Sequence, residues 1–180
     1  MIECSELGLK GVLVFEPKII KDLRGSFSEV YNSSYLNYIP KKVNFIQDNE
    51  SVSIQGVLRG LHFQRKPFEQ SKLVRVSKGE IQDVVVDIRK DSPTFGRYVS
   101  VLLSKKNGKQ IFVPRGFAHG FLTLSKEAIV NYKVDNEYSK NHESGIVYDD
   151  KDLSIDWIIK HEDMIISNKD LLLPSIKGIK

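Results

Sequence analysis

Ten short runs rich in Val, Ile, Phe and Tyr follow one another along the chain from Val12 to Val134. Gly, Pro, Asn, Asp and Ser separate these runs, as is typical of strands joined by tight turns. No amphipathic stretch of helical length lies between them, which disfavours a parallel sheet with crossover helices. The sequence therefore predicts an all-β fold, an antiparallel sandwich or barrel with little helix.

The predicted strands are VLVFEP, SFSEVY, NFIQDNESVS, GVLRGLHFQ, SKLVRVSKG, IQDVVVDIR, RYVSVLLS, KQIFVPRG, AHGFLTLS and AIVNYKVD. The apolar alternation is clearest in IQDVVVDIR, although its phase slips near Asp83. Helix is expected only as a turn near NSSYLNY and another near HEDMII. We find no internal repeat, linker or low-complexity segment, so residues 1–180 are predicted to form a single domain.

Composition restricts the function classes. The chain has 27 basic and 23 acidic residues, a net charge of +4, which suits an anionic small molecule and is modest for a nucleic-acid binder. The single cysteine, Cys4, excludes an intrachain disulfide and fits a reducing compartment. The sequence shows neither a signal-peptide core nor the run of about 20 apolar residues that a membrane helix needs. We expect a soluble cytoplasmic protein with no nucleic-acid or membrane partner.

The run GVLRGLHFQ is unusual for a strand, because it contains two glycines and sets Arg59 and His62 among apolar residues. Strict alternation sends Arg59 and His62 to opposite faces. A twist or bulge at the glycines would let the two side chains share a cavity. The mouth of a barrel is a common place for such a ligand site.

Two of the four histidines, His62 and His119, lie in apolar strand segments, whereas His142 and His161 lie in charged stretches. The stretch around His119, FVPRGFAHG, resembles the second motif of the cupin superfamily of small jelly-roll barrels. The first cupin motif requires a second histidine and a glutamate, and this chain has HFQ at that place. A transition metal needs three or four ligands close together, so no metal is expected.

A histidine without a metal can serve as a base, provided that a partner fixes its tautomer. Position in the sequence does not choose among the candidate carboxylates. Lys72 lies within a strand beside apolar neighbours, and Tyr132 and Tyr138 lie six residues apart. From the residues alone, a tyrosine in such a strand is more often a packing residue than a catalytic one.

Six segments together resemble one family, the nucleotide-diphospho-4-keto-sugar 3,5-epimerases of the cupin superfamily. These segments are KDLRGSFSEVYN, NFIQDNESVSIQGVLRGLHFQ, QSKLVRVSKGEIQDVVVDIRKDSPTFG, FVPRGFAHGFLTLS, YKVDNEY and ISNKDLLLP. Their order and approximate spacing match the family over about 12–174. The resemblance implies a cupin-type jelly-roll β-barrel with short peripheral helices, and an isomerase that needs no cofactor.

The resemblance also implies roles for individual residues. His62 is the expected base and Asp170 the carboxylate that orients it. Lys72 is expected near the sugar O4, and Tyr132 is the expected acid on the opposite face, with Tyr138 in reserve. The residues expected to bind the substrate are Arg24, Phe27, Glu29, Gln47, Asn49, Arg59, His119 and Lys169. Among these, Arg59 is expected to anchor the pyrophosphate, assisted by Lys169.

In the family, the N-terminal segment of one subunit completes the site of its neighbour. The resemblance therefore implies a homodimer in which Arg24, Phe27 and Glu29 reach the partner's nucleotide. The expected substrate is dTDP-4-dehydro-6-deoxyglucose, which epimerisation converts to dTDP-4-dehydrorhamnose for deoxysugar and polysaccharide biosynthesis.

Three places depart from the family pattern. Glu50 stands where many relatives have histidine, and Ile158 stands where a proline is usual. Tyr132 is followed by KVDNEY, where the family has a pair of adjacent tyrosines. Alternatives therefore stay open. The substrate could be a GDP-linked 4-keto-6-deoxy sugar or a heptose. The enzyme could invert a single carbon or move the ketone. In another class, the chain could be a non-catalytic cupin that binds a sugar nucleotide.

Overall fold

A computed structural model describes residues 2–39 and 43–179, most of them in strands or the turns between strands. In chain order the strands are β1 (Glu3–Glu6), β2 (Leu13–Glu16), β3 (Ile20–Asp22), β4 (Gly25–Phe27), β5 (Gln47–Ile54), β6 (Val57–Gln64), β7 (Lys72–Lys78), β8 (Glu80–Asp87), β9 (Tyr98–Ser104), β10 (Gln110–Val113), β11 (Phe117–Thr123), β12 (Glu127–Val134), β13 (Glu143–Gly145) and β14 (Ile165–Ile166). One α-helix, α1, covers Asn168–Leu171, and short 3-10 helices cover Ser33–Tyr38, Lys140–His142, His161–Asp163 and Ile176–Gly178.

Two sheets pack face to face. The first has the strand order β1-β2-β10-β7-β12-β5, and the second has the order β13-β6-β11-β8-β9. Neighbouring strands in these orders run antiparallel, while β14 adds to the edge of β6 in parallel. The core between the sheets is built from inward-facing aliphatic and aromatic residues, including Val74, Val76, Ile81, Val85, Ile111, Phe117 and Val130. The predicted all-β jelly-roll barrel is confirmed.

Each of the ten predicted runs contains a strand, although SFSEVY contributes only its first residues to β4. The turn predicted near NSSYLNY is the 3-10 helix Ser33–Tyr38, whose first turn is capped by the side chain of Asn32. HEDMII divides into a 3-10 helix and β14. The strands β1, β3, β13 and β14 and the helix α1 were not predicted. Within the described residues, no helix has the length and apolar character needed to cross a membrane.

The apparent slip in IQDVVVDIR has a structural explanation. Ile81 and Val85 of β8 belong to the core between the sheets, whereas Val84 and Val86 pack on the outer face against the C-terminal segment. The alternation of β8 is therefore unbroken, and Asp83 lies on the inner face with no exposed surface. A carboxylate in this position requires a polar partner inside the barrel.

Strands β6 and β11 approach each other closely at two glycines. A Cβ on Gly60, which has φ +138°, would lie 2.5 Å from the Cα of Gly120. Next to this contact the pairing register shifts between His119 and Phe121. The irregularity allows Arg59 and His62 to line one cavity, as the bulge hypothesis predicts.

We expect Gly60→Ala to lower the free energy of unfolding by about 3 kcal/mol or more, because the methyl group meets backbone and the φ angle suits glycine alone. Gly25→Ala is the matched control, since Gly25 has a similar φ of +131° but no heavy atom within 4 Å of the added Cβ. Denaturant unfolding at equal protein concentration measures both. Equal losses in the two variants would show that the close approach to Gly120 is unimportant.

Candidate active site

A cavity of about 540 Å³ lies between the two sheets and extends under the C-terminal segment. It is lined by Ser51, Val57, Leu58, Arg59, His62, Lys72, His119, Phe121, Val130, Tyr132, Ile165, Ile166, Ser167, Lys169 and Asp170. An adjoining chamber of about 300 Å³ shares His62, Lys72 and Tyr132 with it. The polar groups of the cavity thus come from strands of both sheets and from α1.

His62 and Asp170, which both line the cavity, form a close pair. His62 Nε2 lies 2.7 Å from Asp170 Oδ1, although the residues are 108 positions apart in the chain. The Asp170 side chain is almost fully buried, whereas the imidazole is partly open to the cavity. With Nε2 donating to the carboxylate, Nδ1 is the ring nitrogen left to accept a proton.

The carboxylate of Asp170 is held in place by its local backbone and by β6. Its own N–H donates to Oγ of Ser167, the residue that caps α1, and Asp170 Oδ2 accepts from the backbone N–H of Gly60. Burial acts to raise the pKa of Asp170, but the hydrogen bonds from His62, Gly60 and Ser167 outweigh it and lower the pKa below its usual value. Asp170 is therefore a firmly ionised acceptor for the imidazole.

A second histidine and carboxylate pair lies directly beside the first. His119 of β11 is the cross-strand partner of His62, and its Nε2 lies 2.9 Å from Asp83 Oδ2. Both side chains are buried. Sequence reasoning missed Asp83, although the carboxylate within the apolar run IQDVVVDIR was a usable signal.

Lys72 is half-buried and presents its ammonium to the cavity. Burial lowers the pKa of Lys72 to about 8, against the opposing influence of the negative charges on Asp83 and Glu143. Near neutral pH the group is still mostly cationic, and its charge is screened less between the two sheets than on the open surface. It can therefore stabilise negative charge that develops on a bound molecule.

Tyr132 lies on β12 opposite Asn49 of β5 and faces into the cavity. Burial raises the pKa of Tyr132, with only a partial offset from the positive charge of Arg59. The phenol is consequently neutral over a wide pH range and has a proton to donate. Tyr132 and His62 belong to different sheets, so a ligand between them is accessible from two sides.

Arg59 lies on β6 near the β5–β6 turn. Its Nε donates to Ser53 Oγ at 3.0 Å, and its Nη2 donates to the carbonyl of Val52 at 3.3 Å. No carboxylate within the described chain forms a salt bridge with Arg59. Its guanidinium therefore carries a positive charge to the cavity, suited to an anionic group.

Tyr138, Glu143 and Lys169 form a polar cluster at the rim. Glu143 accepts a hydrogen bond from the Tyr138 hydroxyl at 2.8 Å and pairs with Lys169 Nζ at 2.6 Å. Burial acts to raise the pKa of Glu143, but these two contacts lower it overall. Sequence reasoning missed Glu143, which lies in a polar stretch with no pattern to distinguish it.

The remaining residues expected at the site fall into two groups. Gln47 and Asn49 line the adjoining chamber and are joined by a hydrogen bond of 2.7 Å. Arg24 and Phe27 lie on the exposed β3–β4 hairpin, where Arg24 pairs with Asp22, and Glu29 follows the hairpin. None of these last three residues is among those lining the cavity of their own chain.

Comparisons with known proteins give one consistent result. The sequence model of the family described as dTDP-4-dehydrorhamnose 3,5-epimerase matches residues 6–178. The chain is 52% identical to the dTDP-4-dehydrorhamnose 3,5-epimerase of Methanothermobacter thermautotrophicus over 164 residues, 90% of this chain and 88% of that protein. It is 50% identical to the Shigella flexneri protein of the same name, over 89% of this chain and 88% of that protein.

A solved structure from Legionella pneumophila superposes with a TM-score of 0.95 at 40% identity, covering 100% of this chain and 95% of that chain. That protein is described as a dTDP-6-deoxy-D-glucose-3,5-epimerase in complex with dTDP-4-keto-L-rhamnose. The similarity therefore extends over the whole fold and includes a relative bound to a nucleotide-linked keto sugar.

Proposed function

The chain belongs to the dTDP-4-dehydrorhamnose 3,5-epimerase family, and we propose that it inverts C3 and C5 of dTDP-4-dehydro-6-deoxyglucose to give dTDP-4-dehydrorhamnose. The observation that carries the proposal is the His62–Asp170 pair in a cavity shared with Lys72 and Tyr132. This set provides a base, a positive charge and an acid without requiring a cofactor.

The reaction begins with the removal of a proton next to the ketone. The C4 carbonyl makes the hydrogens on C3 and C5 acidic, because the resulting carbanion is delocalised as an enolate. His62 Nδ1 takes the proton, and Asp170 stabilises the imidazolium through Nε2. Returning the proton to the same face would restore the substrate, so inversion requires a donor on the other side.

Lys72 and Tyr132 complete each inversion. The Lys72 ammonium faces the enolate oxygen at C4, and its attraction strengthens as negative charge develops there. Tyr132 donates its phenolic proton to the carbon from the face opposite His62. Tyr138 is less suited to this role, because its hydroxyl is already hydrogen-bonded to Glu143 at the rim.

The nucleotide diphosphate explains the remaining polar residues. We assign Arg59 to the pyrophosphate, where its fork can bind two phosphate oxygens, with Lys169 assisting. His119 is assigned to the sugar, and Gln47 and Asn49 to the nucleotide. The net charge of +4 also favours an anionic substrate.

We further propose a homodimer of single cupin domains, each spanning residues 1–180. The β3–β4 hairpin exposes Ile20, Leu23 and Phe27, an apolar surface of the kind that a partner covers. In such a dimer Arg24, Phe27 and Glu29 would complete the site of the second copy. A mass of one chain in solution would contradict this.

The free thiol Cys4 supports a cytoplasmic location, where cysteines stay reduced.

Solvent deuterium tests the function. When the substrate turns over in heavy water, we expect deuterium at both C3 and C5 of the product, because each inversion replaces a carbon-bound hydrogen with one from a solvent-exchanged acid. Proton NMR of the sugar, with a sample lacking protein as control, measures both positions. Exchange at a single carbon would indicate a mono-epimerase, and absence of exchange would indicate a non-catalytic binding protein.

A further inference from the structure

Asp83 is a buried carboxylate immediately behind the cavity. It lies on the inner face of β8 and is not among the residues that line the cavity. Its Oδ2 is bound to His119 Nε2 at 2.9 Å. Its Oδ1 is also buried and has no hydrogen-bond partner among the described residues. A buried carboxylate oxygen in this state is costly unless a positive charge is near.

The cation on which the Asp83 charge acts is Lys72. Lys72 lies on β7 and Asp83 on β8, strands of the two facing sheets whose inner residues pack in one core. No hydrogen bond or salt bridge within 2–39 and 43–179 involves the Lys72 ammonium, which lines the cavity. The titratable groups that line the two chambers with Lys72, or whose charge acts on it, are Arg59, His62, Asp83, His119, Tyr132, Tyr138, Glu143, Lys169 and Asp170. Among the carboxylates, Asp83 has the larger effect on Lys72, whereas Glu143 is already paired with Lys169 and Asp170 with His62.

We propose that Asp83 is a positioning residue that holds Lys72 in its cationic form and fixes the orientation of the His119 ring at the wall of the cavity. The unpartnered Oδ1 supplies the charge for Lys72, and the bonded Oδ2 fixes the ring of His119. This inference rests on the proposed function, which places the C4 oxygen of the sugar beside Lys72 and assigns His119 to the sugar.

The proposal has a consequence for pH dependence. Lys72 acts as the ammonium, so the activity that depends on it is present below its pKa and is lost as pH rises through about 8. Removing the Asp83 charge leaves burial as the stronger influence and lowers the pKa of Lys72 further. The alkaline limit of activity then moves toward lower pH.

The test measures Lys72 directly. We use protein labelled with carbon-13 at lysine Cε, assign the Lys72 resonance by its loss in Lys72→Arg, and titrate the substrate-free protein by NMR. In Asp83→Asn we expect the pKa of Lys72 to fall by about one unit or more. Asp152→Asn is the matched control, because Asp152 is a surface carboxylate paired with Lys177, and it should leave the Lys72 titration unchanged.

The pH profile of kcat/KM provides the second measurement. We expect its alkaline limb in Asp83→Asn to shift by the same amount as the NMR titration. If Asp83 were only a structural partner of His119, both titrations would match the wild type, and this outcome would overturn the inference. Should Asp83→Asn fail to fold, Asp83→Ala gives the same comparison.

The two proposals can fail separately. The NMR titration uses no substrate, so a shifted Lys72 in a protein without epimerase activity would support the role of Asp83 and reject the proposed reaction. Normal epimerisation by the wild type, with the same Lys72 pKa in Asp83→Asn as in the wild type, would support the proposed reaction and reject the role of Asp83.

Discussion

His62→Ala is expected to lower kcat for epimerisation by about a thousandfold or more, since positioned proton transfer contributes effects of this order. The variant removes the imidazole whose Nε2 lies 2.7 Å from Asp170 Oδ1. Alanine adds no new charge, and the imidazole is partly open to the cavity, so the barrel should fold normally. Product formation by NMR measures the loss, and deuterium exchange should fall with it.

A second histidine variant controls for general effects. His161→Ala removes an exposed imidazole in the 3-10 helix His161–Asp163, outside the residues that line the cavity. We expect it to retain most of the activity. Retained turnover in a folded His62→Ala protein would remove His62 from the mechanism, even if the family activity were present.

Tyr132→Phe is expected to separate the two halves of the reaction. The variant keeps the ring but removes the proton that would be donated opposite His62, so complete inversion should slow by about a hundredfold or more. His62 can still remove and return a proton on its own face. We therefore expect solvent hydrogen to be incorporated into recovered substrate faster than product forms. Calorimetry should show that dTDP binding is unchanged.

Tyr138→Phe is the comparison variant for the acid. The Tyr138 hydroxyl donates to Glu143 at the rim, and its loss should change substrate KM more than kcat. The opposite result, with Tyr138→Phe blocking inversion and Tyr132→Phe permitting it, would assign the acid to Tyr138. Normal double inversion in both variants would assign it to water.

The sequence predicted the strands well because most of them are buried on at least one face. Runs such as SKLVRVSKG and AIVNYKVD alternate strongly, and β7 and β12 follow them closely. The missed strands lack this signal. β1 reads ECSE and is mostly exposed, and β14 has two residues that depend on pairing with β6. Their formation is set by the neighbouring strand rather than by their own residues.

The site was predictable only in part, because a local sequence pattern reveals a polar residue within an apolar strand but not a contact between distant segments. His62, Lys72 and Tyr132 attract notice as polar residues within apolar strands. The pairing of Asp170 with His62 rested on the family resemblance, because many carboxylates were equally plausible partners. Asp83 was overlooked because its interruption of IQDVVVDIR was interpreted as a change of phase. Glu143 depends on contacts with Tyr138 and Lys169 that no local pattern reveals.

Asp170 comes from α1 of the C-terminal segment rather than from a strand of either sheet, so the His62–Asp170 pair exists only when that segment is docked. The two sheets use residues up to β13, whereas β14 and α1 dock on the edge of β6 from the C-terminal segment. A product truncated before Ser167 would contain the residues of every strand, yet its imidazole would lack the acceptor that fixes its tautomer, and the outer face of β8 would lose the buried Ile176. Such a fragment would be inert as a catalyst even where its strands form.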